Sequence, residues 1–245
     1  TWISKLPDSH HAHFCLGSFY INKAWQARGS GTIGGVTGPG LFLFKKHLTS
    51  AGKHLDIAYT LNQQNTLSSA YMIHVAIGLG WSRDIMEEYF NRAIATDDTE
   101  FETYKAKLNY LEPSWHGNRQ EMLAFGRTCY RTAPPHSAVS RILAKAHLAS
   151  GDWDVLLKRP TVWAEVRDSY RKTLVEFPDS NEAYNWLART AAIAGDRATA
   201  EKAFAAIADN WLPGCWKNKD HFESTKNVAL SATSRPSTNT LDAAT

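Results

Sequence analysis

The feature that most constrains this chain is a succession of amphipathic segments divided by turns too short for anything but an antiparallel neighbour. Apolar residues at spacings of three and four predict helices over 67–79, 82–95, 99–112, 118–131, 135–150, 161–176, 181–194 and 197–209. Between them lie turn signals such as Gly78-Leu79-Gly80, Thr96-Asp97-Asp98, Pro134-Pro135, Gly151-Asp152, Phe177-Pro178-Asp179 and Gly195-Asp196. No Val/Ile-rich alternating run is bounded by hairpin turns, so strands are not expected. Helices joined this way favour antiparallel neighbours. The expected fold class is therefore all-α, an α-solenoid of stacked antiparallel helix pairs.

The clearest unit starts at Asn181. Tyr184 and Leu187 take the bulky positions of its first helix and Ala188 the small one. Gly195 and Asp196 make the turn, Ala200 is the small residue of the second helix and Phe204 its aromatic. The logic is steric, because two helices approach closely only where small residues meet and bulky ones fill the gaps beside them. In this register the unit resembles a tetratricopeptide repeat. Leu143, Ala144 and Gly151-Asp152 fit the same register upstream, with Trp153 to Val162 inserted before the second helix. Degenerate copies occur over Met72 to Ala93, where Gly80, Phe90 and Ala93 fit, and over Tyr104 to Thr128. One such unit cannot bury its own apolar face, so neighbours must stack.

The repeat resemblance implies a concave groove faced by alternate turns of each first helix. Lys105 with Asn109, Arg141 with Lys145, and Asn185 with Arg189 then fall at groove positions. A row of Lys, Arg and Asn would suit an acidic segment or a C-terminal carboxylate through charge-assisted hydrogen bonds.

The N-terminal part departs from the repeat. A helix over 9–28, capped by Asp8 or Ser9, is broken by a glycine-rich run over 29–40, and a second helix follows over 40–61. The organisation expected is one helical-repeat domain over 1–224, with segments 8–61, 66–133 and 135–210, and a Ser/Thr-rich irregular tail over 225–245. Residues Thr1 to Leu6 read as the last turn of a helix that begins upstream, so the start is read as internal or processed and does not reveal the compartment. Two further stretches, His13 to Tyr20 with Ala24 to Gly31, and Leu111 to Asn118 with Glu121 to Phe125, resemble DUF4034, a bacterial family of unknown function. This chain has His116 where that family usually has Gly. The resemblance covers 1 to about 224 and implies a helical fold without an established activity.

The chemistry legible in the residues is sparse. A net charge of +3 and a pI near 8.7 do not call for nucleic acid or an anionic membrane. No apolar run reaches the ~18 residues of a membrane span, so a soluble chain is expected, with the cytoplasm slightly favoured. Cys15, Cys129 and Cys215 show no zinc or disulfide spacing and are read as buried free thiols, so neither metal nor cofactor is expected. Nine Trp, nine Tyr and ten Phe are most simply core residues between helix layers. The string Gly29-x-Gly31-x-x-Gly34 lacks the preceding strand that a dinucleotide fold requires. His10 and His13 share a helical face but lack a third ligand, and His74 and His147 fall on apolar faces.

No triad, nucleophile elbow or carboxylate pair can be placed. The expected function is thus a non-enzymatic protein-binding or scaffolding module, of unstated oligomeric state, holding a segment in its groove. An alternative is a small-molecule or enzymatic pocket around Trp25, Arg28, Trp115 and His116. A further alternative is a permanent subunit of a larger assembly.

Overall fold

The structure, a computed structural model, describes residues 2–29 and 35–231. Among these it is all-α, with helices packed as adjacent pairs and no strand. The helices are α1 (Trp2–Lys5), α2 (His10–Arg28), α3 (Gly38–Leu61), α4 (Thr66–Leu79), α5 (Arg83–Thr96), α6 (Phe101–Tyr110), α7 (Arg119–Thr132), α8 (Arg141–Ala149), α9 (Trp153–Leu156), α10 (Pro160–Glu176), α11 (Asn181–Ala194), α12 (Arg197–Ile207) and α13 (Lys219–Ser231). The chain divides into two compact units. The first is Thr1–Gly151 with Arg171–Pro178, and the second is Asp152–Tyr170 with Asp179–Thr245.

In the first unit α2 and α3 form the most extensive pair, and α4 packs on α3, α5 and α6. The α3 helix starts at Thr37, whose hydroxyl accepts from the Gly40 N–H, with a proline in the first turn. Phe44, Leu48, Ala51, Leu55 and Ala58, spaced by four and three, make its buried stripe. The first four of these, with Ile21, Ala24, Met72 and Val75, form one core cluster; Ile73, Met86, Phe90, Met122 and Ile142 anchor another. Gly78 permits the approach of α4 to α3. A Cβ there would lie 2.3 Å from Leu48 Cδ1 and 2.7 Å from Phe44 Cζ.

Imidazoles line part of the α2–α3 contact. His13 Nδ1 faces His54 Nδ1 at 3.0 Å, and its Nε2–H donates to the Pro7 carbonyl at 2.9 Å. A carbonyl can only accept, so in a neutral His13 ring the proton sits on Nε2, and His54 Nδ1–H donates to His13 Nδ1. Tyr20 stacks on both His47 and His54, with ring centroids 5.8 Å apart in each case. Burial, then the neighbouring His13, lowers the His54 pKa.

In the second unit α11 and α12 pair through small residues. Ala183, Ala188, Ala191, Ala200 and Ala203 are all buried. Asp196 caps α12, accepting from the Thr199 N–H at 3.0 Å and from Trp163 Nε1–H at 3.1 Å. Burial works against its charge, but these bonds, the Thr199 hydroxyl and Arg167 outweigh it, and its pKa is lowered.

Two elements differ from expectation. The helix predicted over 135–150 begins only at Arg141. The Ser137 hydroxyl donates back to the Pro134 carbonyl at 2.7 Å instead of capping, and His136 takes a positive φ of 54°. The irregular stretch expected from 225 is helical as far as Ser231. Phe222 anchors that helix, buried against Phe204 and Trp216 with centroids 5.6 and 5.1 Å away. Residues 232–245 of the expected tail lie outside the described residues.

Candidate functional site

The most distinctive convergence of candidate residues lies at the C-terminal end of α2. Trp25 and Arg28, three residues apart, project from one side of that helix. Trp115 reaches them from the loop after α6. The Trp25 and Trp115 rings meet edge to face with centroids 5.4 Å apart, and the Arg28 guanidinium lies 5.7 Å from the first and 5.3 Å from the second. The Trp115 loop is held by backbone hydrogen bonds, Trp115 N–H to Glu112 O at 2.9 Å and His116 N–H to Tyr110 O at 3.2 Å. Gly117 is required in it, since a Cβ would stand 2.4 Å from the Leu111 carbonyl oxygen.

His116, the fourth residue of the expected pocket, is used by the core. Its ring stacks on Tyr110 at 4.5 Å and its Nε2–H donates to the Ile77 carbonyl at 2.9 Å. That donor is aimed at a main-chain acceptor and not at the two tryptophans. The three-residue cluster can stack or bind, and no base stands in it.

Beside Trp25 an open hollow of about 720 Å³ is lined by Phe19, Asn22, Lys23, Gln26 and Gly29. Positions 19, 22, 23 and 26 form one face of α2 by their spacing. Phe19 is 50% exposed and Lys23 Nζ stands 5.6 Å from its ring centroid. Sequence reading missed these four residues, although the exposed i, i+3, i+4, i+7 face offered the signal.

The six expected groove residues are distributed over both units. In the first, Lys105 holds Glu102 at 2.8 and 3.1 Å, Asn109 is half-buried, and Arg141 is buried with its guanidinium 4.7 Å from the Phe101 centroid. Lys145 Nζ lies 5.7 Å from the same ring. In the second, Asn185 is wholly buried. Its amide donates to Asn181 and to the Asn210 carbonyl and accepts from Leu212 N–H at 3.1 Å and Trp216 Nε1–H at 2.7 Å. Arg189 donates to the Cys215 carbonyl and lies 4.6 Å from the Trp153 centroid. Asn185 and Arg189 thus tie the 210–216 segment to α11, and Asn185 presents no polar atom outward.

Of the cysteines expected to be buried, Cys129 and Cys215 are buried and Cys15 is exposed. Burial lowers the His74 pKa to about 4, aided by Lys105 and opposed by Glu102. Burial pushes the Cys129 thiol up to about 12, so it is not a nucleophile near neutrality. His10 Nε2 faces Asn62 Nδ2 at 3.3 Å, and among the described residues no three His, Cys, Asp or Glu side chains are placed to share a metal ion. Gly31 and Gly34 of the glycine string lie outside the described residues, and a helix, α2, precedes Gly29. No described helix is long and apolar enough to cross a membrane.

No family model matches the chain, and no curated protein matches it in sequence.

Proposed function

We propose that this protein is a helical binding module that holds a segment of another protein against the face of α2, beside Trp25, Arg28 and Trp115. The observation that supports this reading is the meeting of Arg28 with two tryptophans ninety residues apart in sequence, next to an open hollow with a half-exposed phenylalanine. Aromatic rings and an arginine at the edge of a concave surface are the residue types that dominate protein contacts. The hollow's lining carries amides and a lysine but no carboxylate or thiol, which suits holding a ligand rather than transforming it. His116 bonds to the Ile77 carbonyl, which disfavours an enzymatic pocket built on it. The tetratricopeptide-like register, and with it the Lys105, Asn109 and Lys145 positions of the first unit, belongs to this proposal as a secondary contact surface; Arg141, buried, does not.

The test places a photo-crosslinking amino acid at Gln26 in the full chain, and at exposed Glu201 as control. A defined protein adduct at 26, absent at 201 and lost on Phe19→Asp, is the expected result. Equal labelling at both positions would refute the α2 site.

A further inference from the structure

Counted by stretch, the charge of this chain is segregated. Residues 9–55 hold Lys23, Arg28, Lys45, Lys46 and Lys53 and not one Asp or Glu, whereas 83–121 hold nine acidic residues against five basic ones. In the second stretch four of the five cations are paired: Arg83 with Glu121 at 2.6 Å, Arg92 with Glu88 at 2.7 Å, Lys105 with Glu102 at 2.8 Å and Lys107 with Glu87 at 2.6 Å. Among the described residues, none of the five cations of 9–55 has a carboxylate within 4.0 Å.

Three of these cations lie on the exposed back of α3. Phe42, Lys46, Lys53 and Ile57, spaced by four, seven and four, fall within less than a quarter turn of one another, and Lys45 and the exposed Asp56 border them. Phe42 is 66% exposed and Ile57 41%, while the opposite stripe of the helix is in the core. The surface is a lysine row closed at each end by an apolar side chain. Its ends are ~22 Å apart at 1.5 Å per residue.

We propose that this face of α3 docks an acidic protein segment, about seven extended residues long, whose carboxylates lie between two bulky apolar residues. The proposal rests on the binding-module reading above but not on the α2 hollow. Three lysines with no carboxylate within 4.0 Å, against the single exposed Asp56 beside Ile57, supply charge complementarity, and the terminal apolar residues fix the register. Two other polyanions fit less well. A nucleic acid strand needs a basic track longer than this one, and the unit that carries the row also carries the acidic stretch 83–121. A lipid surface needs a continuous apolar face to sink into it, and here the apolar residues are separated by lysines.

The test measures anisotropy of a labelled heptapeptide, Phe-Glu-Asp-Glu-Asp-Glu-Leu, with the full chain in low and physiological salt. Parallel arms use the same peptide with Gln and Asn for its acids, a single-stranded oligothymidylate, and phosphatidylcholine vesicles containing phosphatidylserine. Binding of the acidic peptide, weakened roughly tenfold or more by Lys46→Glu with Lys53→Glu and retained in Phe19→Asp, is expected. The Lys46→Gln, Lys53→Gln variant, gentler on the helix, should show a smaller loss in the same direction, with circular dichroism checking that both fold. The proposal is overturned if the acidic peptide does not bind, if the charge reversals leave its affinity unchanged, or if oligothymidylate or vesicles are preferred. Peptide binding that is lost only in Phe19→Asp would keep the α2 hollow and discard the α3 face.

Discussion

The pairs α2–α3 and α11–α12 are both antiparallel helical hairpins, and they use their polar residues in opposite ways. In α11–α12 the contact is made by alanines, and the polar side chains turn inward to serve the chain itself. Asn185 and Arg189 pin the segment 210–216, and Asp196 caps α12. In α2–α3 the apolar stripe is equally buried, but its edge is made of imidazoles and its outer faces carry cations without carboxylate partners. The α11–α12 hairpin is closed on itself. The irregular one keeps its chemistry available.

Breaking the closed pair should have the largest effect. Asn185→Ala strands the Trp216 Nε1–H and the Leu212 N–H, and about 4 kcal/mol of stability should go with them. Hydrogen exchange should then rise in α11 and α12 while α2 and α3 stay protected; exchange rising equally in both would refute the contrast.

Mild acid should act on the first unit through His74. His74 in α4 has a folded-state pKa of about 4, below its ordinary 6.5, so the unfolded chain takes the proton first. Its contribution is complete above about pH 6.5 and is lost as the pH falls toward 4, at most ~3 kcal/mol. His54, also lowered, acts in the same direction. Since α11 and α12 contain no histidine, denaturant titrations at pH 7 and 5 should show a loss that His74→Leu flattens.

A smaller effect, about 2 kcal/mol, is expected for Ala188→Leu, which overfills a wholly buried position between α11 and its neighbour. Thermal unfolding would check it. Smallest of all should be Lys46→Glu with Lys53→Glu, within about 0.5 kcal/mol on stability because both side chains are exposed. A large drop in melting temperature there would show that those lysines serve the fold.

The helices were legible because a buried stripe needs little context: Phe44, Leu48, Ala51 and Leu55 announce α3 by spacing alone. The α8 start was not, because its outcome turned on where two hydroxyls went. Ser137 bonds back to Pro134, and Ser140 bonds across to Thr173 at 2.9 Å. For the candidate site, sequence singled out Trp25, Arg28, Trp115 and His116, and three of the four do converge. The fourth could not be separated from them, because its partner, the Ile77 carbonyl, is a main-chain group thirty-nine positions away. Asn185 likewise looked outward in the repeat register until residues 210–216 folded over it. The unpaired hairpin was in plain view, but averaging over the whole chain reduces it to a mild +3.

The separation of charge also has a kinetic side. With an acid-free stretch and an acid-rich stretch in one compact unit, that unit carries an electric dipole, and a charged body approaching it feels a torque before any atoms touch. Such turning works only within a few screening lengths, each about 8 Å at physiological ionic strength. Association with an anionic partner should therefore slow as salt is added, while departure, governed by the apolar contacts at Phe42 and Ile57, should change much less.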